Sequence, residues 1–337
     1  MNRFLTAIIP LAVLAIAFPM TSSFGQDKKP KKQKKTPVLD PARADVDFKF
    51  QGEYQGTLNE AAGNKKLGIQ LIALGDGKFK SAGYMGGLPG SGWDGSEIRR
   101  SEGKTEIKDG VLRFENDHVV ATVQNGAMTI ASLEGVQIGQ LKHVIRKSKT
   151  LGMKPPAEAV VLFDGSSADN FKNGKLDGKL LQQGTTSKQT FGSFQLHLEF
   201  RTSYMPYARG QGRSNSGVYM QGRYEVQVLD SFGLTGEQNE CGGIYSIAKP
   251  KLNMCYPPLS WQTYDVDFTA ATFDADSKKT KSGSMTVRHN GVEIHKNVEL
   301  KKRTTASPLG EGIEKGPLYI QNHGNPVRFR NIWVIEK

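Results

Sequence analysis

Residues Asn215 to Gly233 read NSGVYMQGRYEVQVLDSFG, and part of this stretch alternates between apolar and polar residues. In its second half, apolar Val226 and Val228 alternate with polar Glu225 and Gln227. A period of two is typical of a β-strand with one buried face, because successive side chains point to opposite sides. The pattern predicts a sandwich strand that turns Glu225 and Gln227 away from the core.

A second alternating stretch, FQLHLEFR from Phe194 to Arg201, has Phe and Leu on one face and polar residues on the other. Three hairpin signals lie elsewhere, since Asp109-Gly110, Asn125-Gly126 and Asn290-Gly291 each separate two short alternating runs. These dipeptides favour type I′ turns, which need positive φ at both central residues. Long helical patterns are absent from the sequence. The chain is therefore predicted to be all-β.

The N-terminus has the features of an export signal. Arg3 precedes an apolar run from Phe4 to Phe18, which is shorter than the roughly 20 residues that a spanning helix needs. We predict a cleaved signal peptide over residues 1–25, with an uncleaved anchor as the alternative. The mature protein is then secreted or periplasmic, without stable membrane insertion.

The positive charge of the chain is concentrated behind this signal. Six lysines between Lys28 and Lys35 supply half of the formal net charge of +12. Residues 26–43 are therefore predicted to be a solvated linker, because such a run cannot bury apolar surface. A nucleic-acid partner is not expected, since the excess charge lies in a tail and not along a structured face. Attraction to an acidic polysaccharide or an anionic cell surface stays open.

A length of 337 residues predicts two domains. Residues 44–146 form a small β domain of unknown role, residues 147–158 form a linker rich in Lys, Gly and Pro, and residues 159–337 form the second domain. In the first domain, Trp93 stands in a glycine-rich loop. It could stack on a sugar ring, but a lid over its own core is the favoured interpretation.

Cys241 and Cys255 are the two cysteines of the chain. In an exported protein, such a pair favours a disulfide over two free thiols. Two cysteines alone cannot form a structural zinc site.

The second domain resembles the 3-keto-disaccharide hydrolase family. The resemblance covers about Val161 to Glu336 and says nothing of residues 44–146. It rests on seven blocks in order: VLFDG from Val161, FQLHLEFR from Phe194, NSGVYMQGRYEVQVLDSFG from Asn215, CGGIY from Cys241, WQTYD from Trp261, TVRHNGVEIHKN from Thr286 and GPLYIQNHGNPVRFRNIW from Gly316. The family implies a concanavalin-like jelly roll, a two-sheet β-sandwich, and a carbohydrate substrate.

The resemblance also implies a chemistry. A ketone at C3 of a sugar acidifies the C2 proton, so that one general base can remove it and the C1 substituent can leave by β-elimination. Water then adds to the unsaturated product, which gives net hydrolysis. The family chemistry implies a sugar 3-dehydrogenase upstream. The scheme needs a base, a group that stabilises the enolate oxygen and an acid for the leaving group.

The candidate site residues lie in the family blocks. Glu225 is the predicted base, and His323 is the predicted acid or second base. The enolate would be stabilised by Arg213, Arg328 or Arg330. We expect one polar pocket, with the further substrate-binding candidates Asn215, Tyr219, Gln227 and Asp230.

Two other functions remain open. A conventional retaining glycosidase needs two carboxylates about 5 Å apart, and Glu199 on another strand could be the partner of Glu225. A non-catalytic carbohydrate-binding jelly roll is the second alternative. No cofactor is required by the pattern, although a divalent metal held by His323 with Glu225 or Asp230 would also stabilise an enolate. His289 and His295 are expected to be exposed and inert.

Overall fold

The three predicted hairpin turns are present in the structure. In the computed structural model, which describes residues 35–60 and 63–337, Asp109 and Gly110 have φ values of 50° and 75°. Asn125-Gly126 and Asn290-Gly291 also have positive φ at both positions. Each turn joins two antiparallel strands, as a type I′ geometry requires.

The first domain is a sheet that rolls up on itself. Its nine described strands are β1 (Gly52–Leu58), β2 (Lys66–Gly75), β3 (Lys78–Met85), β4 (Arg99–Glu102), β5 (Lys104–Lys108), β6 (Val111–Glu115), β7 (Val120–Gln124), β8 (Ala127–Ala131) and β9 (Gln137–Val144). Their spatial order is β4-β3-β2-β1-β9-β8-β7-β6-β5. The two edge strands β4 and β5 are joined by Gly103 alone, so the edges must meet and the sheet must curl like a barrel. Phe114, Val123 and Met128 lie buried in its interior.

The second domain contains two larger sheets. The first is built from β11 (Phe171–Lys172), β14 (Thr185–Phe191), β16 (Ser216–Met220), β17 (Tyr224–Val228) and β23 (Gly316–Ile320). Its order is β11-β14-β23-β16-β17, and we call it the five-stranded sheet.

The opposite sheet, which we call the eight-stranded sheet, comprises β10 (Val160–Phe163), β12 (Leu176–Asp177), β13 (Leu180–Gln182), β15 (Phe194–Thr202), β18 (Gln262–Thr269), β21 (Gly283–His289), β22 (Val292–Leu300) and β24 (Val327–Glu336). Its order is β12-β13-β24-β15-β18-β21-β22, and β10 also pairs with β24. The remaining described elements are a small hairpin, β19 (Thr272–Phe273) with β20 (Lys279–Lys281), and 3-10 turns at Pro41–Arg43, Val46–Lys49 and Gly210–Gly212.

The two sheets form a sandwich around one apolar core. Leu196 and Leu198 of β15 belong to the same buried cluster as Val218 of β16, Val226 of β17 and Ile320 of β23. Complete burial of each such side chain contributes about 1.5–3 kcal/mol. The predicted alternation is therefore confirmed for both stretches, and so is the all-β sandwich.

The two domains share buried contacts, and residues 36–337 form one compact unit. Phe232 of the sandwich packs with Tyr84 of the first domain. Arg146, the last residue of the first domain, donates to the buried Glu53 at 2.5 Å, and its guanidinium lies 4.8 Å from the ring centroid of Tyr256 in the sandwich. Trp93 packs edge-on against Tyr84, with ring centroids 5.5 Å apart. In the structure Trp93 thus covers its own core, as the favoured interpretation expects.

Two predictions about the N-terminus lie outside the described residues. The signal peptide, residues 1–25, and the lysine-rich part of the linker up to residue 34 are not described. Within the part of the chain that is described, no helix has the length and apolar character needed to cross a membrane.

The expected disulfide is not formed among the described residues. Cys241 and Cys255 are both free, buried thiols. They nevertheless lie within hydrogen-bonding reach of each other, and the Cys241 sulfur lies 3.2 Å from the hydroxyl of Tyr264. Burial raises the pKa of Cys255. The proximity that a disulfide requires is therefore present, while the covalent bond stays a prediction for the exported protein.

Candidate functional site

Five side-chain positions form one line across the five-stranded sheet, and we call them the cross-strand row. Lys172, Thr186, Tyr319, Tyr219 and Glu225 are directly opposite one another on successive strands. Directly opposed residues point to the same face of a sheet. Their sequence neighbours on β16, β17 and β23 fill the core, so the row lies on the outer face of the sandwich.

Glu225 is the most unusual residue of the row. Its side chain is buried, with 2% of the residue exposed, and its carboxylate lies over the backbone of Gly217 on the next strand. Burial raises the pKa of Glu225 to about 8, although a hydrogen bond from Tyr219 acts in the opposite direction. Within the described chain, no charged side chain is among the causes of this shift. Glu225 is thus a carboxyl group with a raised pKa and, among the described residues, without an ionic partner.

Tyrosine side chains surround this carboxylate. The Tyr219 hydroxyl hydrogen-bonds to Glu225 and accepts a hydrogen bond from the Gln321 amide at 3.0 Å. The Tyr319 ring lies 5.2 Å from the Tyr219 ring, and the Tyr245 backbone N–H donates to the Glu225 carbonyl. Burial and the charge of Glu225 raise the pKa of Tyr219. The Tyr219 hydroxyl therefore stays protonated and donates a hydrogen bond to the Glu225 carboxylate.

A second polar group lies beside Gly217 on the same face. Gln211 accepts hydrogen bonds from the Asn215 and Gln227 amides, each at 2.9 Å. The side-chain amide oxygens of Asn215 and Gln227 are buried and accept no hydrogen bond from the described residues. Buried acceptors without donors are uncommon. Because solvent does not reach either oxygen, a ligand hydroxyl can bind there only after these side chains move.

A cleft of about 470 Å³ adjoins the other end of the row, and we call it the lysine cleft. Tyr319 belongs to both the row and the cleft. The rest of its wall combines apolar Leu309 with Lys172, Lys188 and Lys315. An apolar wall with a few polar groups is typical of ligand sites.

His323 lies beyond the end of β23, in the loop that leads to β24, and it is exposed. It is two residues from Gln321, which contacts Tyr219. Among the described contacts, His323 is not part of the hydrogen-bonded group around Glu225.

Arg213 and Asp230 are paired with each other. Arg213 donates to the Asp230 carboxylate at 2.7 Å, and both are buried. Asp230 also accepts from the Phe232 backbone N–H. Neither side chain borders Glu225, so the expected roles in holding the enolate or the substrate are not supported by their positions.

The expectation that Glu199 lies beside Glu225 is wrong. Glu199 is on β15 of the eight-stranded sheet, and its carboxylate lies on the outer face of that sheet, on the far side of the core. It accepts from Arg330 at 2.6 Å and from the backbone N–H of Gly152 at 2.6 Å. Burial acts to raise its pKa, but hydrogen bonds, first of all from His197, lower the pKa of Glu199 to about 2.

The two remaining arginines belong to the same distant face. Arg328 donates to Asp177 at 2.8 Å, and the Arg330 guanidinium lies 4.0 Å from the Trp261 ring centroid. Neither can stabilise an enolate formed at Glu225, because the whole sandwich core separates them from it. The sequence alternation correctly predicts that they point outward but does not tell to which sheet they belong.

The prediction that His289 and His295 are exposed is wrong. His289 and His295 are buried, not exposed. His289 contacts the Gln262 amide oxygen at 3.0 Å, and burial lowers the pKa of His289 to about 3. His295 contacts the Gly242 carbonyl at 2.7 Å, and burial likewise lowers its pKa. Both are neutral side chains of the folded interior.

A metal site is not formed by the residues that the structure describes. Among residues 35–60 and 63–337, no group of three or more His, Cys, Asp or Glu side chains is arranged to hold an ion. Asp230 already forms an ion pair with Arg213. The possible ligand set of His323 with Glu225 or Asp230 is therefore not formed by the described residues.

Sequence reasoning missed Gln211, Tyr245, Tyr319 and Gln321 as site residues. Gln321 and Tyr319 share the face of Tyr219 by strand alternation, so the same period of two could have found them. Gln211 lies in a 3-10 turn, where no periodic signal exists.

The second domain matches a known protein family. The family model for 3-keto-disaccharide hydrolases, described as the 3-keto-alpha-glucoside-1,2-lyase-like domain, matches residues 158–335, more than half of the chain. No curated protein matches the chain.

Two crystal structures from Parabacteroides distasonis ATCC 8503, each described as a candidate glycosyl hydrolase, are similar to the chain. One shares 31% identity over 54% of this chain and 85% of its own, with a TM-score of 0.49. The other shares 18% identity over 53% of this chain and 94% of its own, with a TM-score of 0.40. By its match to the family model, the chain belongs to the 3-keto-alpha-glucoside-1,2-lyase-like family and is a carbohydrate-active protein.

Proposed function

We propose that this protein cleaves the glycosidic bond of 3-keto-glycosides by elimination, with Glu225 as the general base. The observation that carries the proposal is the buried, uncharged surroundings of Glu225, which raise its pKa to about 8. A general base works best when its pKa lies near the working pH. A binding module has no need of such a group, since an uncharged glutamine would bind a hydroxyl without the burial penalty of a carboxylate.

The proposed reaction begins with proton transfer from C2 of the sugar to the Glu225 carboxylate. The electron pair of the C2–H bond moves to the C3 carbonyl and forms an enolate. The Tyr319 hydroxyl is our candidate donor to the enolate oxygen, because burial raises the pKa of Tyr319 and keeps it protonated.

Collapse of the enolate breaks the bond between C1 and the leaving oxygen, which takes up a proton. Our candidate for this acid is His323, which is exposed two residues beyond Gln321. Addition of water across the C1–C2 double bond then gives the free 3-keto sugar. We propose that substrate binding turns the Asn215 and Gln227 amides toward the sugar, because their oxygens have no donor among the described residues.

The conventional retaining glycosidase is less well supported. It needs a second carboxylate about 5 Å from the first, and a carboxylate at that distance would itself raise the pKa of Glu225. Among the described residues, burial is the one cause that raises it, and the proposed partner Glu199 lies on the opposite sheet.

We infer further that the reaction takes place outside the cytoplasm. The support is the sequence signal of Arg3 followed by the apolar run to Phe18. An enzyme that oxidises the C3 hydroxyl of a glycoside must supply the substrate.

The test compares a 3-keto-glycoside with its unoxidised parent and follows release of the aglycone. We expect cleavage of the oxidised substrate alone. A substrate deuterated at C2 should react more slowly if proton removal limits the rate, or lose deuterium to solvent if removal is reversible. Equal cleavage of both glycosides without a C2 effect would replace the elimination with direct displacement at C1.

A further inference from the structure

The lysine cleft is a positively charged surface that shares Tyr319 with the proposed site. Lys172 and Lys188 line it, and among the residues that the structure describes neither ammonium group has a carboxylate within ion-pair distance. Lys315, the third lysine, pairs with Glu336 at 2.8 Å. That pair is exposed, with 58% and 35% of the side chains accessible, and exposed pairs are weak. A ligand anion can therefore replace Glu336.

The cleft and the base are connected through the sheet. Lys172 and Glu225 stand at the two ends of the cross-strand row, four strand spacings apart. At about 4.8 Å for each spacing, this separation is about 19 Å. A ligand that places its reacting sugar at Glu225 and also reaches Lys172 must therefore extend over several sugar rings.

The cleft has an apolar wall and a charged wall, which match the apolar face and the polar groups of an oligosaccharide. Leu309, Pro308 and the Tyr319 ring form the apolar part, which can contact the C–H face of a sugar. No acidic side chain lines the cleft in the described structure. Lys172 and Lys188 therefore present positive charge without a carboxylate partner to a ligand in the cleft, and Lys315 is paired with Glu336 alone at the surface.

We propose that the lysine cleft is a subsite for an anionic sugar, so that the natural substrate is an oligosaccharide that carries carboxylate or sulfate groups beyond the scissile bond. This inference rests on the proposed function, since it takes Glu225 as the reacting end of the ligand. It adds a substrate class that the uncharged surroundings of Glu225 do not specify. Carboxylate and sulfate offer the same oxygen acceptors to lysine, and the experiment separates them.

The experiment measures binding by the full mature chain carrying Glu225→Gln, which prevents turnover. The probes are tetragalacturonate, a sulfated tetrasaccharide of the carrageenan type and neutral cellotetraose, each titrated at low and at physiological salt. We expect one of the anionic probes to bind at least about fivefold more tightly than cellotetraose, with the preference reduced by salt. The anionic probe that binds more tightly shows whether the cleft prefers carboxylate or sulfate.

Lys172→Met with Lys188→Met should reduce the preference by about twofold for each lysine. The matched control is Lys108→Met with Lys281→Met, which removes the same charge from exposed positions outside the cleft. Equal binding of charged and neutral probes, no binding of any probe, or an equal loss in both double variants would overturn the subsite. Cleavage of a neutral 3-keto-disaccharide by the unmodified protein is measured separately, so that failure of the subsite and failure of the proposed function are distinguishable.

Discussion

The carboxylate of Glu225 occupies the space above Gly217 that any larger residue would fill. A Cβ at Gly217 would overlap the Glu225 carboxylate, because the two residues are on neighbouring strands and on the same face. Glycine at position 217 therefore lets the proposed base lie flat against the sheet and hydrogen-bond with Tyr219.

Gly217→Ala should reduce cleavage of a 3-keto-glycoside by at least about tenfold, because the displaced carboxylate loses its position relative to the C2 proton. The stability of the fold should change by no more than about 1 kcal/mol, since the overlapping atoms belong to the flexible end of a side chain. Rates and denaturant unfolding measure the two effects. Gly212→Ala is the matched control, because a Cβ there meets open space. Full activity of Gly217→Ala would contradict the proposed position of the base.

Glu225→Gln should lower the cleavage rate by about 10² to 10⁴, the usual contribution of a general base. Affinity for the substrate should be largely kept, since the amide preserves the shape of the side chain. Single-turnover rates and calorimetric binding separate these quantities. Glu106→Gln, at an exposed position of the first domain, controls for the change of charge. Unchanged turnover with weakened binding would instead favour the non-catalytic binding module.

The rate of cleavage should rise with pH up to about 8, because the base acts only when ionised and burial raises the pKa of Glu225 to about 8. In Tyr219→Phe this rise should shift to higher pH, because the lost hydrogen bond is the contact that lowers the pKa of Glu225. A pH profile of kcat/KM for both proteins measures the shift. A profile that moves to lower pH in the variant, or does not move, would show that Tyr219 does not act through Glu225.

The contribution of Glu225 to the stability of the protein should fall between pH 4.5 and 8. Below 4.5 the Glu225 carboxyl is neutral in both the folded and the unfolded chain. At higher pH the unfolded chain ionises first, because the pKa of Glu225 is about 8 in the folded state and 4.5 ordinarily. Folding therefore loses on the order of 4 kcal/mol by pH 8 from this group.

Glu225→Gln removes this loss, so the variant should gain stability relative to the unmodified protein as pH rises from 5 to 9. Denaturant unfolding at the two pH values measures the difference, and other titrating groups cancel in the comparison. A stability difference that is independent of pH would contradict the raised pKa.

Cys241 and Cys255 should form a disulfide in the exported protein, because the two thiols are already within hydrogen-bonding reach. Closure of this loop contributes about 3 kcal/mol on the chain-entropy model. Thiol labelling in denaturant without reductant should find no free thiols after export and two after cytoplasmic expression. Two free thiols in the exported protein would show that the pair stays reduced.

Strand positions and faces could be predicted from the sequence because they depend on local chemistry. The alternation in Tyr224–Val228 determines that Glu225 points away from the apolar core, and Asn290-Gly291 determines a tight turn. Both features follow from backbone geometry and from the side chains of a few neighbouring residues.

Sequence alternation does not show which outward-facing groups lie next to each other. That depends on how distant strands pair in the folded protein. Glu199 and Arg330 also point outward by alternation, but they belong to the other sheet, because alternation describes a strand and not its partners. The pKa of Glu225 likewise depends on burial beside Tyr219, and the pairing of β16 with β17 creates that contact. Sequence periodicity thus determined the direction of each side chain, while the register between distant strands determined its neighbours and therefore its chemistry.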